Sequence, residues 1–290
     1  MKRKKETYFF EGEVPFEKSD LNIGSRVEKK LYSGTSPFQK IAVLNLYTFG
    51  NTLVLDDIIQ TTERDEFIYH EMLCQIPMFL HPSPKSVLIV GGGDGGSLEE
   101  VLKHASVKKA IMVEIDGKVV EVSKKYLPSI SKNAFQDKRA ALIIGDGKKF
   151  IKDHQNEFDV IILDLSDPAG PATDLISLSF YRNCKKALKK NGIVSVQSGS
   201  FTTQPELVSL ISNRLQKVFS HVEVRKAVVP SYQAGEYTFT LASDFNFSKV
   251  SQSVLIKKLK KAKHMRLKYW SPDIHWASSV LPSYLKEELK

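Results

Sequence analysis

The chain has 290 residues, of which 42% are hydrophobic and 26% charged, as is typical of a globular protein with one large core or a core plus a small domain. Disordered, collagen-like and disulfide-rich classes are excluded. The formal net charge is +9, but eleven basic residues lie in two acid-free stretches, 2–5 and 257–268. The rest of the chain carries 31 Lys and Arg against 33 Asp and Glu, so the basic total does not by itself indicate a nucleic-acid binder.

Cysteine content and hydropathy indicate the compartment. The two cysteines, Cys74 and Cys184, suggest a reducing environment, and we interpret both as packing thiols. The basic first residues run into Thr7 and Tyr8 without the apolar stretch of a signal peptide. No window approaches the ~20 apolar residues that span a membrane. The sequence therefore predicts a soluble cytoplasmic protein that does not engage a membrane.

The first part of the chain, residues 1–63, is predicted to form a small β-rich domain. Apolar and β-branched residues between 43 and 47 and between 52 and 55 flank Phe49-Gly50-Asn51, which indicates a hairpin turn. From residue 64 the period changes to that of a helix, with apolar residues spaced along 67–76. We expect Pro77 and the segment with Pro82 and Pro84 to end this helix.

Residues 64–290 are predicted to form an α/β domain, because short apolar runs alternate with longer amphipathic stretches. Continuous apolar strands indicate a mostly parallel sheet, buried on both faces by helices. A late run, Tyr237 to Ala242, is predicted to add an antiparallel strand. The predicted parallel strands are Ser86 to Val90, Ala110 to Glu114, Ala141 to Ile144, Val160 to Leu163 and Ile193 to Val196.

A glycine-rich loop follows the first predicted parallel strand and precedes a helical segment, Ser97 to His104. Gly91, Gly93 and Gly96 satisfy G-x-G-x-x-G in the setting that a nucleotide-binding turn requires. A glycine turn needed only for packing is the alternative. Glu114 ends the next strand, where it is placed to accept hydrogen bonds from ribose hydroxyls or, alternatively, to be a solvated strand-end carboxylate.

Asp94 within the loop discriminates between cofactors. A carboxylate there would repel the pyrophosphate of a dinucleotide, whereas a cationic sulfonium or amine would be attracted. The sequence therefore favours an adenosylmethionine-type ligand over a nicotinamide dinucleotide. An N-cap role for Asp94 is an alternative that is compatible with the first.

Carboxylates appear at or just beyond the ends of four successive strands, which in an open α/β sheet is the ligand crevice. Asp146-Gly147 follows the third strand, and Asp164 and Asp167 follow the fourth. The last two lie three residues apart on a loop with Pro168 and Pro171, so they could hold a cationic amine, and one could act as general base. An Asx turn before Pro168 is the alternative.

These residues resemble the polyamine aminopropyltransferases, the spermidine synthase family, over nearly the whole chain. The resemblance lies in LYSGTSPFQKIAV at 31–43, IIQTTERDEFIYHEML at 58–73, VLIVGGGDGGSLEEVLKH at 87–104, VEID at 113–116, DLSDPAGPA at 164–172 and YWSPDIHWASSVLP at 269–282. It implies an N-terminal β domain joined to a methyltransferase-like α/β domain of the Rossmann type. It also implies a homodimer or homotetramer, no permanently bound cofactor and no metal.

The resemblance further implies transfer of an aminopropyl group from decarboxylated S-adenosylmethionine to an amine such as putrescine, with release of methylthioadenosine. It implies that Asp164 is the general base. The implied nucleoside contacts are Gln39, Glu114, Asp146, Gly147 and Pro171. The implied amine contacts are His70, Asp94, Asp167, Tyr69, Gln60 and Tyr232. For Tyr69 and His70, a helix face packed on the core remains an alternative to direct contact.

Several positions depart from the family pattern, and other functions stay open. Asp57, Gln75 and Tyr8 replace residues that are more usual there, while Leu165 and the segment 232–235 border the implied acceptor site. Putrescine is therefore favoured as the acceptor, with agmatine, cadaverine and spermidine as alternatives. An ordinary methyltransferase is the alternative enzyme. A nucleic-acid-binding module would use residues 257–268, which we interpret instead as a solvated helix face.

Overall fold

The computed structural model describes residues 6–17, 22–168 and 170–289, of which 170–172 are described by their backbone alone. The basic stretch 2–5 lies outside the described residues, as does Ala169 of the motif at 164–172. Within these limits the chain forms two sheets, one of five strands and one of seven.

The N-terminal sheet is an antiparallel meander in the order β1-β2-β3-β4-β5. Its strands are β1 (Thr7–Phe9), β2 (Ser25–Thr35), β3 (Lys40–Leu46), β4 (Gly50–Leu55) and β5 (Ile58–Thr62). The predicted hairpin joins β3 to β4, where Gly50 has a φ of 74°, a conformation that favours glycine. Ile41, Val43 and Leu53 on one face pack against Val119 and Val122, which joins this sheet to the second one.

The second sheet has the order β11-β12-β10-β9-β6-β7-β8. Its strands are β6 (Ser86–Gly91), β7 (Lys109–Glu114), β8 (Ala140–Ile144), β9 (Phe158–Asp164), β10 (Leu188–Gln197), β11 (His221–Val228) and β12 (Glu236–Ser243). The strands β6 to β10 are mutually parallel and β12 pairs antiparallel with β10, as predicted. The strand β11 was not predicted.

Helices cover both faces of this sheet, and a hydrophobic core lies on each side. They are α1 (Glu66–Leu80), α2 (Gly96–Leu102), α3 (Gly117–Tyr126), α4 (Pro128–Ser131), α5 (Gly147–Lys152), α6 (Leu178–Ala187), α7 (Pro205–Gln216), α8 (Gln252–Lys261), α9 (Pro272–Ala277) and α10 (Ser283–Glu288). Three short 3₁₀ helices lie at Ala134–Gln136, Gly170–Ile176 and Phe247–Lys249. Across the described ranges, no helix has the length and apolar character needed to cross a membrane.

The helix α1 does not end at Pro77, which corrects the sequence prediction. It continues to Leu80 with Pro77 inside it. Proline has no N–H, so the carbonyl of Leu73 loses its usual helical donor. The Ser195 hydroxyl on β10 replaces that donor at 2.8 Å, and the buried carbonyl stays satisfied. A contact from another element therefore lets the helix pass through a proline.

The strand β8 is correctly predicted in position but not in burial. Ile143 and Ile144 are 37% and 54% exposed, although continuous apolar strands were expected to be covered on both faces. In the sheet, β8 pairs with β7 alone and is therefore an edge strand. Strand order decides which apolar run is at the edge, and a run of residues does not reveal that order.

The basic stretch 257–268 begins on α8, whose buried anchor is Leu255. Lys257, Lys260 and Lys261 are exposed, which fits the predicted solvated helix face. The helix ends at Lys261, so the prediction of a helix is wrong for residues 262–268. Lys258 differs, because its ammonium donates to the carbonyl oxygens of Phe79 and His81 at 2.7 and 2.6 Å. This lysine therefore caps the C-terminus of α1, where a positive charge is favourable.

Candidate active site

A cleft of about 600 Å³ lies at the carboxyl edge of the parallel strands, where an open α/β sheet binds its ligands. The ends of β6, β7 and β9 form its floor, and residues 11–17 and 37–39 and the β4–β5 turn contribute from the N-terminal sheet. The predicted residues that line it are Gln39, Gln60, Tyr69, Gly91, Gly93, Asp94, Glu114, Asp146, Gly147, Asp164, Asp167 and Tyr232. His70 and Gly96 lie behind this wall, and the side chain of Pro171 is outside the described part of the chain.

The glycine loop brings backbone close to the site carboxylates. Gly91 and Gly92 have φ values of 82° and 74°, and the N–H of Gly92 donates to the Asp164 carbonyl at 2.9 Å. A Cβ atom on Gly91 would collide with that carbonyl, and one on Gly96 would collide with the His70 ring. Close approach therefore requires glycine at positions 91 and 96, and the positive φ values also favour it at positions 91 and 92.

Asp164 ends β9 and is 9% exposed. Its Oδ1 accepts a hydrogen bond from the Tyr69 hydroxyl at 2.8 Å, and its Oδ2 accepts one from Ser97 Oγ at 2.6 Å. Burial raises the pKa of Asp164, the charge on Asp94 adds to the rise, and the His70 charge and both hydrogen bonds oppose it. The carboxylate is thus fixed in position and made more basic than an exposed aspartate.

The buried His70 ring lies between two partly buried carboxylates, those of Asp94 and Glu66. The Asp94 Oδ1 accepts from the N–H of Gly96 at 2.7 Å and lies 3.5 Å from His70 Nε2, while His70 Nδ1 lies 2.8 Å from Glu66 Oε2. Burial lowers the pKa of His70, but the two carboxylates outweigh it and raise the pKa well above its usual value. The raised pKa favours the imidazolium form of His70, in which each ring nitrogen faces one carboxylate. His70 holds Asp94 from behind the cleft wall.

The Glu114 carboxylate is buried at the end of β7, and Gly93 lies beside it. Burial raises the pKa of Glu114 to about 7, and the hydrogen bond that its Oε1 accepts from the N–H of Asp116 at 2.8 Å opposes the rise. This carboxylate faces the part of the cleft where a ribose is expected.

Asp116 is buried and supports the site from behind the cleft wall, a role that was not predicted from the sequence. Its Oδ2 accepts from Gln39 Nε2 at 2.9 Å and from Ser36 Oγ at 2.6 Å, so it fixes the loop between β2 and β3 over the cleft. It also caps α3. Its position two residues after Glu114 was a weak signal, because an N-cap aspartate is common in any fold.

Asp146 and Gly147 close the same end of the cleft. The Asp146 Oδ1 accepts from the N–H groups of Lys148 and Lys149 at 2.8 and 3.3 Å and so caps α5. A Cβ atom on Gly147 would collide with Val90 of β6, so the helix can approach the strand only with glycine there. The cap explains the local role of Asp146, which also lines the cleft.

Three tyrosines narrow the middle of the cleft. The ring centroids of Tyr69, Tyr232 and Tyr237 lie 4.8 to 6.2 Å apart. The Tyr232 hydroxyl donates to the Gln60 carbonyl at 3.0 Å, and the loop that carries Tyr232 is held because the N–H of Ser231 donates to Asp65 at 2.7 Å. Tyr237, Asp65 and the role of Ser231 were not predicted, since their contacts depend on how α1 and β12 pack.

The other end of the cleft is acidic. Burial raises the pKa of Asp167 to about 6, the charges on Glu11 and Glu17 add to the rise, and a hydrogen bond with Gln204 opposes it. The Oδ1 atom of Asp167 is buried and accepts no hydrogen bond from any described residue. Glu11 and Glu17 come from the N-terminal segment and were not predicted. They lie far from Asp167 along the chain, so no pattern in the sequence indicates that their charges act on it.

Among residues 6–17, 22–168 and 170–289, no group of three or more His, Cys, Asp and Glu side chains is arranged to hold a metal ion. Asp164 instead accepts hydrogen bonds from two hydroxyl groups, and Asp94 lies beside the His70 ring. Fold and cleft together define a methyltransferase-like α/β enzyme with an acidic cleft.

Comparison with known proteins gives the family. The family model described as the spermine/spermidine synthase domain matches residues 66–252, and the spermidine synthase tetramerisation domain matches residues 14–63. A polyamine aminopropyltransferase of Thermoanaerobacter sp. (strain X514) is 42% identical over 268 residues, covering 92% of this chain and 94% of the relative. One from Bacillus cytotoxicus is 41% identical over 271 residues, covering 93% and 96%.

Two solved structures are also similar. A spermidine synthase in complex with the transition-state analogue AdoDATO has a TM-score of 0.91 and 38% identity, covering 98% of this chain and 94% of that one. The spermidine synthase from Thermotoga maritima has a TM-score of 0.88 and 38% identity, covering 97% and 94%. The chain therefore belongs to the spermine/spermidine synthase family, as a polyamine aminopropyltransferase. The resemblance and the fold class deduced from the sequence are confirmed.

Proposed function

We propose that this enzyme transfers the aminopropyl group of decarboxylated S-adenosylmethionine to putrescine, giving spermidine and methylthioadenosine. The observation that carries the proposal is the buried Asp164 carboxylate, which two hydroxyl groups orient into an acidic cleft. The names of the relatives support aminopropyl transfer, and the analogue complex of a similar structure supports this class of co-substrate. Agmatine, cadaverine and spermidine remain alternative acceptors.

The nucleoside end of the co-substrate is assigned to the cleft wall around β7 and α5. Glu114 would accept from the ribose hydroxyls, and Gln39, Asp146, Gly147 and the backbone at Pro171 would enclose the base and sugar. In this orientation Asp94 is placed to attract the cationic sulfonium or the amine of the aminopropyl chain. We assign His70 to positioning Asp94, because it does not line the cleft.

The chemistry requires an amine with a free lone pair. In the proposed step, Asp164 accepts one proton from the attacking ammonium group. The amine nitrogen then attacks the aminopropyl methylene carbon that is bonded to sulfur, a C–N bond forms, and the bond between that carbon and sulfur breaks with its electron pair going to sulfur. The sulfonium becomes the neutral thioether of methylthioadenosine. The leaving group is already activated, so alignment and proton removal are the main contributions of the enzyme.

The direct test is to incubate the protein with decarboxylated S-adenosylmethionine and a panel of amines and to follow methylthioadenosine. We expect release of methylthioadenosine that depends on putrescine. If no amine causes release, the proposal is wrong. Asp164→Asn is expected to lower kcat by at least about a hundredfold while the co-substrate still binds. The matched control is Asp153→Asn, which removes an exposed aspartate after α5 and should leave the rate unchanged.

The organisation of the molecule is part of the proposal. We assign residues 1–63 and 64–290 to two domains, a cytoplasmic location, and a homodimer or homotetramer. The match of residues 14–63 to a model named for tetramerisation supports the assembly. Light scattering after size-exclusion chromatography tests it, and a monomer at micromolar concentration would contradict it.

A further inference from the structure

Two different helices supply the hydroxyl groups that hold Asp164. Tyr69 lies on α1 and Ser97 lies on α2, and each donates to one oxygen of the Asp164 carboxylate. A hydrogen bond weakens steeply when its geometry departs from the optimum. The carboxylate therefore keeps both donors only if α1 and α2 hold a fixed position relative to each other.

Near the cleft, the two helices touch at the first turn of α2. The ring of His70 on α1 lies so close to Gly96 that a Cβ atom on the glycine would collide with it. The thiol of Cys74, also on α1, donates to the Ser97 carbonyl at 3.7 Å. Because both contacts involve the same turn, they leave α2 able to pivot about it.

Further from the cleft, an amide bridge formed by Gln75, Glu100 and His104 joins the helices. The Gln75 Nε2 on α1 donates to Glu100 Oε2 on α2 at 2.6 Å and to the Glu100 carbonyl at 3.2 Å. Burial lowers the pKa of His104 to about 4, so its ring is neutral, and its Nε2 donates to Gln75 Oε1 at 2.7 Å. All three residues are buried. The bridge thus fixes the far end of α2 to α1.

The amide bridge is the contact that α2 depends on, because α1 has other anchors. Ser195 on β10 donates to the Leu73 carbonyl, and the Glu71 carboxylate accepts from the backbone N–H groups of residues 268–270. The helix α2 has only seven residues. Loss of the bridge should therefore displace α2, and Ser97 with it, while α1 stays in place.

We propose that Gln75 and Glu100 are positioning residues for aminopropyl transfer, because their bridge fixes α2 so that the Ser97 hydroxyl reaches Asp164. The inference rests on the proposed role of Asp164 as general base. Both bridge residues lie behind the cleft wall and act only through Ser97. Gln75 is also one of the positions at which this chain departs from the family pattern, so the bridge is a feature of this chain.

The test is Gln75→Leu, which keeps a side chain of similar size and removes the amide. The charged form of Asp164 then loses stabilisation from Ser97, so its pKa should rise. We expect the acidic limb of the kcat/KM profile to move up by about half a pH unit, and kcat above the limb to fall several-fold. Gln75→Asn, whose shorter amide stays polar but withdraws from Glu100, should shift the limb less in the same direction.

The titration of Glu100 has to be separated from that of Asp164. Burial raises the pKa of Glu100 to about 7, the charge of Lys103 opposes the rise, and the charges of Glu99 and Glu71 add to it. Glu100→Gln removes this titration and keeps an acceptor for the amide of residue 75. Its acidic limb should therefore coincide with that of the wild type.

Ser243→Ala is the matched control for loss of a buried hydrogen bond. The Ser243 hydroxyl donates to the Gly192 carbonyl at 2.7 Å, at the end of β12 that is remote from the cleft. This variant should lower the free energy of unfolding and leave the acidic limb in place. Every variant retains the other titratable groups that face Asp164, which are Tyr69, His70, Cys74, Asp94, Glu114, Tyr232 and Tyr237.

A second background distinguishes positioning from a purely structural role. In Ser97→Ala the hydroxyl is already absent, so adding Gln75→Leu should move the acidic limb no further, although it should still lower the free energy of unfolding. An equal shift of the limb in both backgrounds, or no shift in Gln75→Leu, would overturn the positioning role.

An NMR titration measures the pKa of Asp164 without turnover. The protein is labelled at the aspartate carboxyl carbons, and the Asp164 signal is identified by its loss in Asp164→Asn. A higher pKa in Gln75→Leu than in the wild type supports the bridge, and an unchanged pKa contradicts it. If that pKa is higher but Asp164→Asn retains the wild-type rate, the general-base assignment fails and the control of Asp164 by the bridge stands.

Discussion

At the scale of single residues, the basicity of Asp164 is a balance of opposed effects. Burial raises its pKa, whereas the hydrogen bonds from Tyr69 and Ser97 stabilise the charged form and lower the pKa. A general base is active only when it is deprotonated. The two hydroxyl donors therefore help to set the lowest pH at which the proposed proton transfer operates.

Replacing Tyr69 by phenylalanine removes one of these donors with little change in volume. The pKa of Asp164 is then expected to rise, so the acidic limb of the kcat/KM profile should move to higher pH. Methylthioadenosine release measured across the acidic range gives the limb. The control is Tyr181→Phe, which removes a fully buried hydroxyl that has no described partner and lies in the core on one side of the sheet. Coincident acidic limbs for Tyr69→Phe and the wild type would contradict this account of Asp164.

The cleft carboxylates were easier to predict from the sequence than the residues that contact them. Each of these carboxylates lies at or just beyond the end of a strand, and parallel strands bring their ends to one edge; they are Asp94, Glu114, Asp146 and Asp164. The partner Glu66 precedes His70 by four residues on a helix, and that spacing was an available signal. Asp116 and Tyr237 gave no comparable signal, because what they contact depends on tertiary packing.

At the scale of elements, α1 shows how one contact compensates for a proline. The Leu73 carbonyl would be a buried acceptor without a donor if Ser195 did not reach it from β10. Leaving such a group unsatisfied costs about 1–3 kcal/mol. The stability of this helix therefore depends on a side chain that lies more than a hundred residues away along the chain.

We expect Ser195→Ala to lower the free energy of unfolding by about 1–3 kcal/mol. In a Pro77→Ala background the new N–H can donate to Leu73, so the same serine substitution should then cost less than half as much. Denaturant titration of the wild type, both single variants and the double variant gives the coupling energy. Equal costs of Ser195→Ala in both backgrounds would show that Ser195 does not act through the proline gap.

Elements with regular apolar runs were predicted well, and those with mixed sequence were not. The parallel strands follow from short apolar runs bounded by turns. The strand β11, HVEVRKAV, alternates charged and apolar residues, and its buried Arg225 pairs with the partly exposed Glu223 and donates to the carbonyl of His275. A buried arginine of this kind makes a strand of the sheet resemble a surface segment. The exposure of β8 was also hidden, since it depends on strand order.

At the scale of the whole molecule, positive and negative charges are concentrated on different surfaces. Lys257, Lys260 and Lys261 are solvated on α8, whereas carboxylates from both sheets line the cleft. The sequence alone predicted an acidic cleft inside a basic protein. The contributions of Glu11 and Glu17 were not predictable, because they arise only when the N-terminal sheet closes over the carboxyl edge of the second sheet.

The acidic cleft and the positive net charge predict opposite effects of salt on kcat/KM. A cationic amine is attracted by the cleft, so kcat/KM should fall several-fold as salt rises from about 0.05 to about 0.5 M, where the Debye length shrinks below about 10 Å. A protein acting through its net charge of +9 would repel the amine, and salt would raise kcat/KM. The double variant Lys257→Gln, Lys261→Gln should keep the wild-type salt slope, because both lysines lie on the exposed face of α8. Two results would contradict this account: a kcat/KM that rises with salt, or a salt slope that changes in the double variant. Either would show that the total charge, and not the local field of the cleft, governs the encounter with the substrate.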